Sequence, residues 1–537
     1  MASPAETFVG EVFSGHVSGE TGLWDLPRWR EPLSKVYAGR SYVPLWIEAG
    51  ELSRAAGQLI EAFAAVEGRG LLVADYDATS LLQQARELQR SGPRTATSTL
   101  RLDIALSVVA ARLASDLHDG RVRPVDVGQD LDIARPQFDV AQAVESLAVS
   151  SNVGATLDGL EPQLQHYALL KKALAKYRNL DANGRGLTTL PAMPRPTIRP
   201  GEKYDGAGSL RRLLIALGDL GVTGSPPGQE EPSLDPSLVV GLKNFQSRHG
   251  LDVDGVLGRA TFLALTTPFA TRIAQIELSL ERARWLPPRL DSPPIVVNIP
   301  QFRLFAFRTT QDRAQDILQM DVIVGAAFKA RQTPVFAADM RYVVVQPYWD
   351  VPRSILVKEL LPQIHANAAW MEKSGYEIVR GDSDSSRPLP ATPENVRLLA
   401  QGSLRLRQKP GSGNALGRVK FIFPNRHNVY LHDTPARELF SRSRRALSHG
   451  CIRVSDPMAL LAHVMRDEPD WNEQKRELAL QSPTPVRVPL SRPIRVFILY
   501  GTALATEAGP VLFFEDIYAQ DAPLIYRLKL RRLHATF

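Results

Sequence analysis

Cys451 is the only cysteine in 537 residues. It stands in Ser448-His449-Gly450-Cys451-Ile452-Arg453-Val454, 19 positions after His432 of Tyr430-Leu431-His432-Asp433-Thr434-Pro435. A thiol nucleophile needs a base to take its proton and donors to hold the oxyanion that its attack creates. A free thiol titrates near about 8.5, so only a few per cent is thiolate at neutrality. His432 is the candidate base or imidazolium partner, and its other ring nitrogen needs an orienting acceptor. Gly450 and Cys451 offer backbone N–H groups to an oxyanion, and Tyr430, on the face of His432, adds a phenol. Arg453 follows the nucleophile by two residues, so on a strand it faces the same way and can fork onto a substrate carboxylate. His449 reads as a buttress of the loop rather than a proton carrier. Arg437, Arg442, Arg444 and Arg445 read as a solvated basic loop. His432, His449 and Cys451 are also the right types for zinc, but no CxxC or HExxH spacing and no fourth ligand accompany them, so no metal or cofactor is assigned.

These residues meet only if the chain doubles back. On one continuous helix, His432 and Cys451 would lie roughly 28 Å apart. Asn428 to His432 alternates as a half-buried strand, with Val429 and Leu431 on one face. Thr434-Pro435 opens a short helix over Ala436 to Phe440. Gly450 supplies a tight turn, and Ile452 to Val454 returns as a strand. A continuing strand sends the Asp433 side chain away from His432, which leaves a backbone carbonyl at or near Asp433 as the orienting acceptor.

The pair H-D-T-P and S-H-G-C-I-R resembles the active-site signature of the L,D-transpeptidases, cysteine enzymes that cross-link peptidoglycan. The resemblance implies that Cys451 attacks the carbonyl preceding the terminal D-alanine of a tetrapeptide donor stem. The thioester then passes to a diaminopimelate-type amine on another stem, giving a 3→3 cross-link. With water as acceptor the same cysteine makes an L,D-carboxypeptidase; with a lipoprotein amine it makes an anchoring enzyme. The resemblance also implies carbapenems as inhibitors, a periplasmic location, an insertion that caps the substrate groove, and an aromatic (Trp349) bordering it. The family usually has Asn where this chain has Asp350.

Composition bounds the alternatives. Apolar content of 44% and charged content of 23% are those of a folded globular chain. A net charge of +7 with no recognition motif makes no nucleic-acid footprint. No apolar run reaches membrane-spanning length; Leu102 to Leu117 is broken by Asp103, Arg112 and Asp116. The first thirty residues carry Glu6, Glu11, Glu20 and Asp25 and no apolar core, so no signal peptide is expected in the sequence as given. A wall-binding protein with an inactive β module is the non-enzymatic alternative, and intact His432, Gly450, Cys451 and Arg453 count against it.

Along the chain, residues 1–40 read as an irregular arm. Residues 41–200 read as a helical scaffold domain, with periodic stretches at Leu52 to Phe63, Ala78 to Arg90, Leu102 to His118, Val140 to Leu147 and Pro162 to Asn179. Leu102-Asp103 and Asp119-Gly120-Arg121-Val122 resemble the scaffold domain of the large Gram-negative L,D-transpeptidases. Residues 205–270 form a small helical unit. Phe245 to Gly258, then Thr261, resembles the peptidoglycan-binding repeat, and glycan binding is left open. A connecting helix covers 271–290. From 291 to 525 the period changes to two, predicting the catalytic domain, with residues 350–408 inserted as a movable cap. The fold class expected is α+β multidomain: an all-α scaffold, a small helical peptidoglycan-binding-like domain and a mostly antiparallel β domain.

Overall fold

The structure is a computed structural model that describes residues 4–14, 26–76, 78–90, 96–131, 133, 135, 137–184, 186–221 and 232–533. It divides into two units, residues 1–289 with 501–537, and residues 290–500.

The first unit is helical. Its longest helix, Ala96–Asp119, is buried along most of its length. One of its buried polar residues, Asp103, accepts hydrogen bonds from the Tyr37 hydroxyl (2.6 Å) and the amides of Leu45 (2.9 Å) and Trp46 (2.6 Å). One carboxylate thus satisfies donors from an incoming chain that forms no regular ladder there. Flanking helices start where sequence caps predict. Ser53 caps Arg54–Ala64, Asp139 caps Val140–Ala148 and Asn152 caps Val153–Leu160. The N-terminal segment differs from the irregular arm expected. Pro4–Ser14 and Leu26–Gly39 are helices whose Phe8, Val12, Phe13, Leu33 and Tyr37 enter the core. Pro32 inside the second helix hid it from the sequence. Residues 15–25 of that segment lie outside the described ones.

A second core in this unit joins Leu210, Leu214, Leu238, Leu242 and Phe245 to Tyr177, Ile276 and Phe513. Gln246 explains much of the Phe245 to Gly258 run. Its side chain donates to Asp254 (2.9 Å) and the Val256 carbonyl (3.0 Å), and accepts from the Gly255 amide (2.9 Å). The hairpin Ala503–Ala505 and Val511–Phe513 packs into this core. The chain therefore leaves the β unit at Tyr500, not at 525.

The second unit is built on nine strands: β1 Ile295–Asn298, β2 Arg303–Ala306, β3 Leu318–Gly325, β4 Phe336–Val345, β5 Val419–Ile422, β6 Leu431–His432, β7 Ala446–Ser448, β8 Ile452–Val454 and β9 Val486–Leu499. Their order is β7-β3-β8-β6-β5-β4-β9-β1-β2, and a further β2–β3 pairing closes the ring. The sheet is mostly antiparallel; β6–β8, β7–β3 and β9–β1 are parallel. Parallel neighbours need a crossover, and residues 433–451 are the one that carries the chain from β6 to β8.

The insertion is a folded body rather than a loose flap. Strands Trp349–Asp350, Tyr376–Val379, Pro388–Leu389 and Arg405–Gln408 pair into a sheet of their own. Ile355, Leu356, Leu360, Ile364, Ile378 and Leu406 form its separate core.

Candidate active site

Register brings the chemistry together. Lys420 of β5 pairs with His432 of β6, and His432 pairs with Arg453 of β8. The three side chains therefore stand in one row on one face of the sheet. Cys451 immediately precedes β8, and the Ile452 amide donates to the Tyr430 carbonyl (3.1 Å). Cys451 thus lies level with Tyr430, beside this row.

The His432 ring is buried, and its Nδ1–H donates to the Asp433 backbone carbonyl at 2.5 Å. A carbonyl only accepts, so the proton is on Nδ1 and the Nε2 lone pair is left as the base. Burial, then the nearby Arg453 and Lys420 charges, push the imidazole down to about 3, against the partial opposition of the Asp433 bond. His432 is therefore neutral across the working range. The Asp433 carboxylate is occupied elsewhere, accepting from the amides of Arg418 (2.8 Å) and Thr434 (2.7 Å) and pairing with Arg437 (3.2 Å). Gly417, at φ +59, gives this carboxylate room, since a Cβ there would overlap it.

The Cys451 thiol donates to the Asn428 carbonyl at 3.7 Å, and the Tyr430 hydroxyl lies near enough to favour its thiolate. Burial pushes the thiol above its ordinary value, while Tyr430, Lys420 and Arg453 pull the other way. The resting pair is a protonated sulfur and a neutral ring. Asn428 makes this contact from the left-handed region, φ 53, which asparagine tolerates. That turn shortens the expected strand 428–432 to Leu431–His432. The helix expected over Ala436 to Phe440 is a 3-10 turn, Arg437–Ser441. It is held by Arg437, which bonds the Ser455 carbonyl and Asp433. Arg445 is likewise structural, bonding Asp321 (2.9 Å) and the Phe302 carbonyl (3.2 Å).

The turn before the sulfur is held by residues the sequence did not single out. Gly450, at φ +124, donates its N–H to Ser448 Oγ (3.1 Å), so this amide is not free for an oxyanion as expected. Ser448 Oγ in turn donates to the Cys451 carbonyl (2.6 Å), and Thr333 Oγ1 donates to the Gly450 carbonyl (2.7 Å). Of the two amides expected, that of Cys451 remains for the oxyanion. His449 Nε2 meets Glu359 Oε1 of the insertion at 2.7 Å, and Arg331 meets the same oxygen at 3.1 Å. Trp349 packs on Tyr376 of the insertion, 6.2 Å between ring centroids. Asp350 pairs with Arg405.

Lys420 is the residue missed altogether. Its ammonium lies 4.0 Å from the centre of the Tyr430 ring, and burial lowers its pKa against the attraction of Cys451 and Asp384. The available signal was a lysine inside the apolar alternation Val419-Lys420-Phe421-Ile422. A cavity of about 670 Å³ lies elsewhere in this unit, lined by Trp471, Leu478, Val486 and Leu490, and holds none of these groups. Among the described residues no three His, Cys, Asp or Glu side chains come together as a metal ligand set.

Comparison with known proteins follows this geometry. Residues 31–174 match a family described as a scaffold domain, and residues 205–265 match a "Putative peptidoglycan binding domain". Residues 293–488, which include every residue of the row and the sulfur, match the L,D-transpeptidase catalytic domain. A Haemophilus influenzae protein named "Putative L,D-transpeptidase" is 33% identical over 247 residues, 46% of this chain and 48% of that protein. The chain thus spans about half the length of this curated relative. Among the described residues no helix is long and apolar enough to cross a membrane. Centred on the strands that carry Cys451 and His432, the catalytic match makes residues 293–488 similar to the L,D-transpeptidase catalytic domain.

Proposed function

We propose that the protein is a periplasmic transpeptidase that forms 3→3 peptidoglycan cross-links through a thioester on Cys451. The observation that supports this most directly is an imidazole oriented by the Asp433 carbonyl, with Nε2 left as acceptor, on the strand beside the sulfur. A donor tetrapeptide stem enters, the thiol proton moves to His432 Nε2, and the sulfur attacks the carbonyl preceding the terminal D-alanine. The oxyanion is met by the Cys451 amide, where a fixed donor is worth roughly two to three powers of ten in rate. Collapse expels the D-alanine amine, which takes the proton from the imidazolium. The side-chain amine of a diaminopimelate-type residue then attacks the thioester, gives its proton to His432, and leaves the cross-linked product with the thiol regenerated.

Tyr430, beside the sulfur, and Asp433, through its carbonyl, act as orienting groups. The match over 205–265 favours a glycan-bound scaffold for this reaction. Carbapenems are expected to acylate the same sulfur. Water or a lipoprotein amine as acceptor would use the same nucleophile. The folded insertion favours a peptide acceptor, since a separate body beside the nucleophile loop can exclude water. Mass spectrometry of the full chain with tetrapeptide muropeptides tests the reading. A Cys451 adduct, absent from Cys451→Ala, and muropeptide dimers are expected. Tripeptide alone would make the protein a carboxypeptidase, and no adduct would end the enzymatic reading.

A further inference from the structure

Across β4, β5, β6, β8 and β3 the active-site row reads Val344, Lys420, His432, Arg453, Ile323. Two cations flank the base; neither forms an ion pair with a carboxylate among the described residues, and Asp384 and Glu438 attract them only from beyond ion-pair distance. Arg453 Nε is buried without a hydrogen-bond partner. The close partner of Lys420 is the face of Tyr430, which leaves the three ammonium donors unused. Other cations of this unit are matched: Arg437 with Asp433, Arg445 with Asp321, Arg331 with Glu359 and Arg407 with Glu377. Two desolvated, unmatched cations beside a nucleophile are costly in the empty protein. That cost is recovered when an anion arrives.

We propose that Lys420 and Arg453 form a two-point carboxylate site that reads the free C-terminal carboxylate of the leaving residue, making Lys420 a specificity-determining residue. The inference rests on the acyl-transfer reading above and names the feature of the donor that this site selects. Reach identifies which carboxylate is bound. A leaving group of one residue keeps its carboxylate within one residue, about 3.8 Å of chain, of the attacked carbonyl. The other carboxylates of a stem peptide lie farther along the chain. The planar fork of Arg453 suits two oxygens, and Lys420 adds a point charge from the opposite side of His432. The resting sulfur does not use up this charge, since its thiol stays above the ordinary value despite both cations. A donor extended by one residue, or amidated at its end, brings a neutral amide to the same place and leaves both cations unmatched.

Binding tests this without turnover. In full-length protein carrying Cys451→Ala, calorimetry compares a tetrapeptide stem ending in a free carboxylate with the same peptide ending in an amide. The acid is expected to bind at least tenfold more tightly. Adding Lys420→Met should weaken the acid at least fivefold, leave the amide within twofold, and leave the melting temperature unchanged or raised. Lys420→Arg should keep most of the preference, and Lys420→Gln, neutral but polar, repeats the measurement should methionine disturb the strand. No acid preference, no binding of either peptide, or equal weakening of both by the neutral variants would overturn the proposal. Failure of the acyl-transfer reading looks different: unsubstituted protein forms no Cys451 adduct, whatever the binding ratio.

Discussion

Buried charge is handled in opposite ways at two places in the molecule. In the helical unit, Arg121 meets Asp75 and Glu281, both at 3.3 Å, and Arg284 meets Glu281 at 3.2 Å and the Tyr167 hydroxyl at 3.0 Å. Arg248 grips Asp219 with two bonds of 2.6 Å. In the β unit, Lys420 and Arg453 have no such partners beside the sulfur. A matched network holds a fold together, and removing one member leaves an uncompensated charge. An unmatched pair does the reverse, weakening the empty fold and reserving its attraction for a ligand. The contrast separates structural from functional charge without any appeal to motif.

The largest expected effect breaks the functional side. His432→Gln should lower the rate of Cys451 acylation by roughly a hundredfold to ten-thousandfold, the range for a positioned general base. Because the ring is neutral at rest, the same change should barely alter the titration of the free thiol. Alkylation of Cys451 should keep rising with pH to about 9 and beyond, past the ordinary thiol value. A plateau near neutrality that His432→Gln abolishes would instead mean a standing thiolate–imidazolium pair. The next effect breaks the structural side. Glu281→Ala strips the partner from Arg121 and Arg284 and also the acceptor of the Val122 amide (2.9 Å). It should cost about 3–5 kcal/mol of helical-unit stability, read by chemical denaturation. Lys420→Met, removing a partly buried charge that has no ion-pair partner among the described residues, should cost nothing. Equal losses from the two would erase the distinction.

Acid sharpens the comparison further. His432 is held down to about 3 and His463 to about 4, both chiefly by burial, against an ordinary value near 6.5. The folded β unit therefore refuses protons that the unfolded chain accepts. Above about pH 6.5 the groups are neutral in both states and contribute no difference. As pH falls from there toward 4, each should remove about 1.4 kcal/mol of stability per pH unit. Melting of the full chain between pH 7 and pH 5 checks this. His463→Gln should flatten part of the slope and leave acylation intact, whereas His432→Gln should flatten the slope and lose acylation. A melting temperature independent of pH over that window would contradict the buried neutral rings.

How far the sequence could be read follows from the range of each signal. The helix Ala78–Arg90 and the Pro236–Arg248 helix were legible because periodicity and caps act within a few residues. The bond from His432 to the Asp433 carbonyl was legible because one short segment contains both. The Lys420–His432–Arg453 row was not, because register is set by three strands from distant parts of the chain. Val511–Phe513 shows the same limit. Its period of two announced a strand but not its partner, and Phe513 packs on Tyr177 at 5.1 Å in the helical unit. The expectation of a movable cap over 350–408 gave no hint of its own sheet, whose strands pair segments far apart in the insertion, or of the π turn at Leu356–Leu360.

The smallest effect tests a side-chain contact by which the insertion touches the nucleophile loop. Glu359 Oε1 receives His449 and Arg331 together, on side chains about a third exposed. Exposed pairs of this kind are worth at most about 1 kcal/mol. Glu359→Gln and His449→Ala should each therefore raise KM a few-fold and leave kcat nearly unchanged. Each should also raise amide exchange within residues 350–408 but not in the barrel strands. Since both remove the same contact, the double variant should behave like either single one rather than their sum. A drop in kcat as large as that of His432→Gln would put His449 in proton transfer. Additive losses would mean that the two residues do not act through one contact. If the double variant instead matches the singles, the unit uses both habits at once: a matched pair holds the insertion near the sulfur, and the unmatched pair waits for the substrate beneath it.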